Sequence, residues 1–311
     1  MKFKLDPLTL KQIRRFKSIK RGYYSFLLLC ILLVFCAFAE MFINSRALVV
    51  HYDGKTYFPT YGKIYPGTTF GLDYEYETNY RDLQKKFKEE GGKNFVLMPV
   101  VPFNEYENDF KEDSYPPFAP TLTDKHFLGT DTAGRDILAR LVFGFRIAII
   151  FSLILLICDY VIGITIGCLM GYYGGWFDIL IQRIIEIWAD VPFLYVVMIV
   201  SSIMVPNFFS LIGIMVFFGW MGVTWQFRTQ TYRQKAREYV SAAKSLGASD
   251  ARIIFKHIIP NSVSLIVTFI PFAISGGIVG LTSLDYLGFG LPSPTPSWGE
   301  LLHQGTQNLS A

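Results

Sequence analysis

Five apolar runs, each about 20 residues or longer, limit what this chain can fold into, because a helix of that length crosses the roughly 30 Å hydrocarbon layer of a bilayer. They cover residues 23–43, 147–170, 179–204, 208–227 and 262–284, and no sixth is visible. Glu40 lies near the far end of the first run, and Asp159 is the only charge in the second. Inside hydrocarbon each backbone N–H and C=O must be bonded within the protein, so runs of this length are helices. The expected class is an all-α polytopic membrane protein. Composition agrees: 51% of the 311 residues are hydrophobic, 16% aromatic and only 17% charged, which leaves little soluble surface.

Charge orients the spans. Residues 2–21 hold eight Lys or Arg (Lys2, Lys4, Lys11, Arg14, Arg15, Lys17, Lys20 and Arg21) against Asp6 alone, which places the N-terminus in the cytoplasm. The run that follows is long and lacks a small-residue cleavage site, so it reads as an uncleaved anchor. Residues 44–146 then lie outside, and residues 171–178 and 228–261 inside. The last stretch agrees independently, with seven Lys or Arg opposed only by Glu238 and Asp250. The expected organisation is a cytoplasmic basic N-terminus (1–22), a first membrane helix (23–43), an extracytoplasmic insertion (44–131) and a membrane core (132–311).

The insertion is rich in Tyr, Asp, Glu and Pro, and YGKIYPG, VLMPVVPF and YPPFAP are turn and extended signals. Within it, NYRDLQKKFKEEG predicts a short amphipathic helix, with Asn79 as cap, Asp82 three residues on, Tyr80, Leu83 and Phe87 on one stripe, and Gly91 to close. Such a domain either lines the substrate route, braces a soluble partner or is a solvated ornament. In LGTDTAGRDILARLVFGFR, Thr130 or Asp131 is expected to cap a helix that begins near Thr132, with Arg135, Asp136, Arg140 and Arg146 along it. Gly129 and Gly134 have the spacing of a phosphate loop, but Arg135 and Asp136 follow where Lys and Ser or Thr are required. No nucleotide site is expected in this chain, and any ATP hydrolysis belongs to another polypeptide. The cysteines, Cys30, Cys36, Cys158 and Cys168, fall inside spans without metal-ligand spacing and read as small apolar fillers.

Gly163, Gly167 and Gly171 recur every four residues and open one face of the second span to close approach by another helix. Asp178, Arg183, Glu186 and Asp190 cluster at the start of the third run, ahead of Pro192. Arg183 and Glu186 can pair across one turn, and the cluster reads as a helix anchor more readily than as a proton relay. Asp159, Trp220, Trp225 and Asp285 are candidates to face a wet pathway or a partner, with Trp equally an interface anchor.

The long basic loop, RTQTYRQKAREYVSAAKSLGASDARIIFKHIIP, is the most informative motif. Helical spacing sets Lys235, Tyr239, Ala242, Ala243 and Leu246 around one broad side. Gly247 can close that helix in a left-handed cap, and Ser249 can start a second helix over residues 250–259 that re-enters the membrane at Pro260. The small residues Ser241, Ala242 and Ala243 leave a face that another protein can approach closely; an ordinary amphipathic loop helix supplies much of the same pattern.

This loop resembles the EAA loop of binding-protein-dependent ABC-transporter permeases, in which Glu-Ala-Ala is followed after three residues by Gly and, further on, by Ile, one residue and Leu-Pro. Ala242, Ala243, Gly247 and Pro260 match, whereas Ser241 stands at the family's Glu, His257 at its Ile and Ile259 at its Leu. GTDTAGRD, GYYGGWFD and LTSLDYLGFGLPSPTPSWGELL are similar to the dipeptide and oligopeptide branch. The last block with the long insertion resembles Yej-type peptide permeases, a group associated with oligopeptides and microcin C. The likeness covers nearly all of residues 1–311.

The resemblance implies the transmembrane domain of a type I ABC importer, with a long extracytoplasmic insertion between its first two helices, in a bacterial inner membrane. It implies a heterodimer with a second permease subunit, two ATPase subunits or a fused ATPase that bind ATP and Mg, and a periplasmic binding protein that delivers a peptide. Glu238, Tyr239, Ser241, Ala242, Ala243, Leu246, Gly247 and Pro260 would then couple ATPase closure to alternating access. The chain would perform no covalent chemistry, hold no cofactor and bind no nucleic acid. Family members carry one more membrane helix after Trp298-Gly299-Glu300, so its apparent absence before Ala311 reads as a fragment. The rivals are a proton-coupled secondary transporter, for which Asp159 is the one deep ionisable group, and a non-transporting membrane scaffold.

Overall fold

The computed structural model describes residues 14–111 and 114–308, and the chain divides into two compact units, Met1–Arg146 and Ile147–Ala311. Lys2, Lys4, Asp6, Lys11 and the terminal Ala311 lie outside the described residues.

The first unit opens with helix α1 (Lys20–Ala37), which is apolar and exposed nearly all round, with Cys36 as its one buried residue. A three-stranded antiparallel sheet follows, ordered β2-β1-β3, from strands β1 (Val49–Tyr52), β2 (Lys55–Tyr57) and β3 (Phe95–Leu97). Asp53 and Gly54 both take positive φ between β1 and β2, the two-residue hairpin geometry that Asp-Gly favours. Helix α2 (Tyr80–Glu90) starts where the Asn79 side chain accepts from the Arg81 and Asp82 amides, and ends at left-handed Gly91. Its stripe of Tyr80, Leu83 and Phe87 packs with Val50, Phe70, Val96 and Met98 into the core of the insertion. The insertion helix is therefore built from the residues that its sequence singled out.

The helix expected near Thr132 starts five residues later. Helix α3 (Ile137–Tyr173) is preceded by Asp136, whose Oδ1 accepts from the Ala139 amide at 2.7 Å. Asp131 is occupied otherwise: its Oδ1 accepts from the amides of Ala133 and Arg135, and its Oδ2 pairs with the Arg135 guanidinium at 2.7 Å and with Arg140 Nε at 3.4 Å. A buried ionic turn takes the place of a helical one there, because a carboxylate that gathers two amides ahead of it holds the backbone in a loop. His126 is buried beside this turn, bonded to Asp136 at 2.8 Å and Asp109 at 3.2 Å. Burial alone would lower its pKa, but hydrogen bonds and charge from the two carboxylates outweigh that and hold the imidazole above its usual value. Arg146 pairs with Glu40 at 2.6 Å and donates to the Cys36 carbonyl, which answers the charge at the far end of the first apolar run.

In the second unit α3 packs with α4 (Gly175–Ala189), α5 (Phe193–Ile203), α6 (Phe208–Lys235) and α10 (Val263–Tyr286). The third apolar run is therefore not one straight helix: α4 and α5 meet at a 66° bend. Pro192 lacks an N–H and disfavours helical geometry in the residue before it, so the run breaks at 190–192. Counting that pair as one span, the described residues hold five candidate spans, four of them unbroken. The glycine stripe finds its neighbour within this chain. A Cβ at Gly163, Gly167 or Gly171 would meet Val223, Thr224 and Thr231 of α6, so bare glycine lets the two helices approach. Gly277 of α10 likewise sits against Ser152 of α3.

Candidate functional site: the elbow loop and its clamp

Between α6 and α10 the chain forms helix α7 (Glu238–Ser245), a tight elbow, and a second helical run. The elbow closes as expected, with Gly247 at φ +78°, its amide on the Lys244 carbonyl, and the Ala248 amide on the Ala243 carbonyl at 3.1 Å. Nothing lies within 4 Å of a Cβ built on Gly247, so the need for glycine there comes from the backbone alone. Ser249 Oγ then accepts from the Arg252 amide at 3.4 Å and starts α8 (Asp250–Ile253). That run does not continue as the regular helix expected to residue 259. It widens into a π-turn at Ile254–Ile258 before α9 (Ile259–Asn261). Pro260 offers no N–H to the carbonyl four residues back and its ring crowds it, and one wide turn relieves both.

The structure redistributes the predicted site residues over two faces. Lys235 closes α6 and is not part of the loop helix. Val240 and Ala243 point inward, into a core with Cys168, Tyr172, Phe227, Ile253, Ile254 and Ile258, and Ala243 is only 9% exposed. Ser241, Ala242 and Leu246 point outward, with Leu246 88% exposed. Ala242 and Ala243 therefore do not share a docking side, because adjacent helical positions lie about 100° apart and the inner stripe follows 240 and 243. Glu238 is exposed in the first turn, where a carboxylate suits the helix N-terminus. Tyr239 is half-buried and donates its hydroxyl to Gln234 at 2.8 Å, and Pro260 is exposed. Phe255, at 59% exposed, adds an apolar side chain that the motif did not single out. The outer face is thus mixed, with Ala242, Leu246 and Phe255 exposed among Glu238, Ser241, Lys244 and Ser245, and the inner face is packed.

Polar contacts clamp α6, from which the loop departs, to α3 and α4, and α3 to α8. Asp178 at the start of α4 is buried and accepts from Arg228 Nε at 2.6 Å, Arg228 Nη2 at 2.7 Å and the Tyr232 hydroxyl at 2.5 Å. Tyr172 at the end of α3 donates to Asp250 at 2.7 Å, and Lys235 donates to the Tyr172 carbonyl. Three carriers of the clamp, Arg228, Tyr172 and Tyr232, were missed by sequence reasoning, because their partners lie fifty or more residues away. Arg183 and Glu186 do pair, at 2.6 Å, as their spacing suggested.

The remaining candidates separate. Asp285 is not a free pathway residue: its Oδ1 accepts from the Leu291 amide and its Oδ2 from Ser297 Oγ, and Ser297 caps helix α11 (Trp298–Gln307). This carboxylate ties the end of α10 to the segment that leads into α11. Trp220 donates to the Phe217 carbonyl, and Trp225 is partly exposed. Asp159 remains inside a cavity.

A family described as "Binding-protein-dependent transport system inner membrane component" matches residues 163–310. The chain is 38% identical, over 99% of its length and 89% of the relative's, to the "Inner membrane ABC transporter permease protein YejE" of Escherichia coli. It is 37% identical, over 98% and 85%, to the "Peptidoglycan transport system permease protein YejE" of Agrobacterium fabrum. A shorter likeness, 36% over 60% of this chain and 63% of the relative, is to the "Oligopeptide transport system permease protein OppC" of Lactococcus lactis.

Proposed function

Because the chain belongs to the family of binding-protein-dependent transport system inner membrane components, we infer that it is the permease subunit of an ATP-driven importer of oligopeptides. The observation that carries this reading is the likeness to a YejE permease over 99% of the chain, which takes in both the insertion and the elbow loop. The fold is that of the transmembrane domain of type I ABC importers. A proton-coupled transporter and a scaffold are not favoured by this family.

In this reading a second permease subunit completes the pathway, two ATPase subunits or a fused ATPase supply ATP hydrolysis with Mg, and a periplasmic protein delivers the peptide. The relatives' names, peptidoglycan transport in one and oligopeptide transport in another, support peptide cargo, and the Yej-type resemblance extends the cargo class to microcin C-like peptides. The basic N-terminus supports a cytoplasmic start, which puts the elbow loop on the side of ATP. Ser241, Ala242 and Leu246 then face the ATPase, with Glu238 at the rim. Gly247 sets the angle of the elbow, Tyr239 and Ala243 seat it, and Pro260 lies where it returns to α10. Closure of the ATPases on ATP moves this elbow, and the clamp passes the motion to α3, α4 and α6 as a rigid body. The chain itself breaks and forms no covalent bond.

The test is purification of the tagged chain from membranes in mild detergent, mass spectrometry of what is retained, and reconstitution for peptide uptake. Retention of a second permease and an ATPase, with uptake that needs ATP and survives collapse of the proton gradient, is expected. Uptake that ignores ATP and follows the proton gradient would overturn the reading.

A further inference from the structure

Asp159 sits near the middle of the second apolar run, roughly 17 Å from either end at 1.5 Å per residue. An ionisable side chain at that depth is costly and calls for a partner, yet its Oδ1 is buried with none, and Asp159 forms no ion pair or hydrogen bond among the described residues. Other acids of this unit that are withdrawn from solvent are answered, buried Asp178 by Arg228 and half-buried Asp285 by Ser297. Asp159 lines a cavity of about 290 Å³ between α3, α6 and α10. Any side chain at Gly219 would overlap the carboxylate, so glycine at that position makes its place. Tyr160, Phe269 and Phe272 bring aromatic surface to the same cavity, Gln226 brings an amide, and among the described residues no Lys, Arg or His lines it.

We propose that this cavity is a subsite for the ammonium group of a translocating peptide, with Asp159 as the acceptor. A carboxylate that lacks a cation and lies among aromatic rings selects a compact positive group. The volume is at the low end for small-ligand sites, so it admits one end group or one side chain and not a whole oligopeptide. The α-ammonium of a peptide and the side-chain ammonium of a lysine share this chemistry. This deepens the importer reading and rests on it for the identity of the cargo, while ammonium binding itself is measured without transport.

Membranes carrying the full chain with its partner subunits are treated with dicyclohexylcarbodiimide, which adds to membrane-embedded carboxyl groups, and the Asp159 adduct is followed by mass spectrometry. Alanyl-alanine amide and N-acetyl-alanyl-lysine amide, each with one ammonium group, are expected to slow the modification roughly tenfold, the worth of one charge-assisted hydrogen bond. N-acetyl-alanyl-alanine amide, with none, is expected to leave it unchanged. Equal rates with all three peptides, equal protection by all three, or equal protection by sodium ions would overturn the proposal. In the uptake assay, Asp159→Asn is expected to lower the ratio of free-amine to acetylated peptide import about tenfold; an unchanged ratio would count against the subsite. Protection without any ATP-dependent uptake would leave the ammonium site standing and overturn the importer reading instead.

Discussion

Arg228→Ala tests whether the clamp carries motion or only decorates the loop. Asp178 is 4% exposed and receives two bonds from Arg228 and one from Tyr232, while the Arg228 side chain itself remains 29% exposed. Breaking a buried pair by removing one partner costs about 3–5 kcal/mol, because the other charge stays buried. Solvent at the guanidinium and the surviving Tyr232 bond reduce this, so about 2–3 kcal/mol is expected. For a domain of this unit's size that is a fall of about 5–10 °C in the unfolding midpoint of the purified complex. Tyr232→Phe, which deletes one neutral donor, should cost about 1 kcal/mol. A cycle of Arg228→Ala, Asp178→Ala and the double variant should show coupling of at least about 1.5 kcal/mol. In vesicles, Arg228→Ala should raise the ATP hydrolysed per peptide imported while the subunits still co-purify. Strict additivity in the cycle, or unchanged ATP per peptide, would refute the clamp as the transmitting contact.

The two faces of α7 give a paired prediction: Leu246→Ala should weaken ATPase binding about tenfold without lowering the chain's own stability, since a wholly buried Leu is worth about 1.5–3 kcal/mol and Leu246 touches little in this chain. Ala243→Leu should instead destabilise the chain by about 1–3 kcal/mol, read as a lower unfolding midpoint without partners present, because Ala243 is already packed. At the helix contact, Gly167→Val should cost at least about 1–3 kcal/mol in the same assay, since its Cβ would press on the backbone of Thr224 and Arg228, whereas Gly213→Ala, with nothing within 4 Å, should be tolerated. In the insertion, His126 has a folded pKa raised above 6.5, so its contribution to stability is fully present below 6.5 and is lost as pH rises through the folded value. Hydrogen exchange of β1, β3 and α2 should quicken over that window, and His126→Gln should abolish the pH dependence.

How much of this could be read from the sequence depended on how local the cause was. Helix α2 was legible in full because Asn79, Gly91 and the Tyr80, Leu83 and Phe87 stripe act within three turns. The elbow was legible for the same reason, since a left-handed Gly247 and a capping Ser249 need only their neighbours. The break in the third apolar run was signalled by Pro192, but hydropathy averages across a proline and so merged α4 with α5. The start of α3 was misplaced because Thr130, Asp131 and Asp136 all have capping chemistry; only the distant Asp109, Glu105 and His126 decide which of them caps.

The same distinction explains why the motif could place its residues on one helix yet could not divide them between that helix's two faces. Ala242 and Ala243 are chemically identical neighbours, and spacing alone puts both on one broad side. Their roles separate only once Cys168, Tyr172 and Phe227 have been brought from α3 and α6 to occupy the inner face. A small residue facing inward lets the loop sit close to its own helices, and a small residue facing outward leaves room for another protein. The elbow can serve as a lever only if both hold together. A loop loose on its inner face would absorb the motion of its partner, and one crowded on its outer face would not receive it. In the proposed lever the Asp178, Arg228 and Tyr232 clamp therefore counts as much as Leu246, because it ties α4 to α6, the helix from which the loop departs.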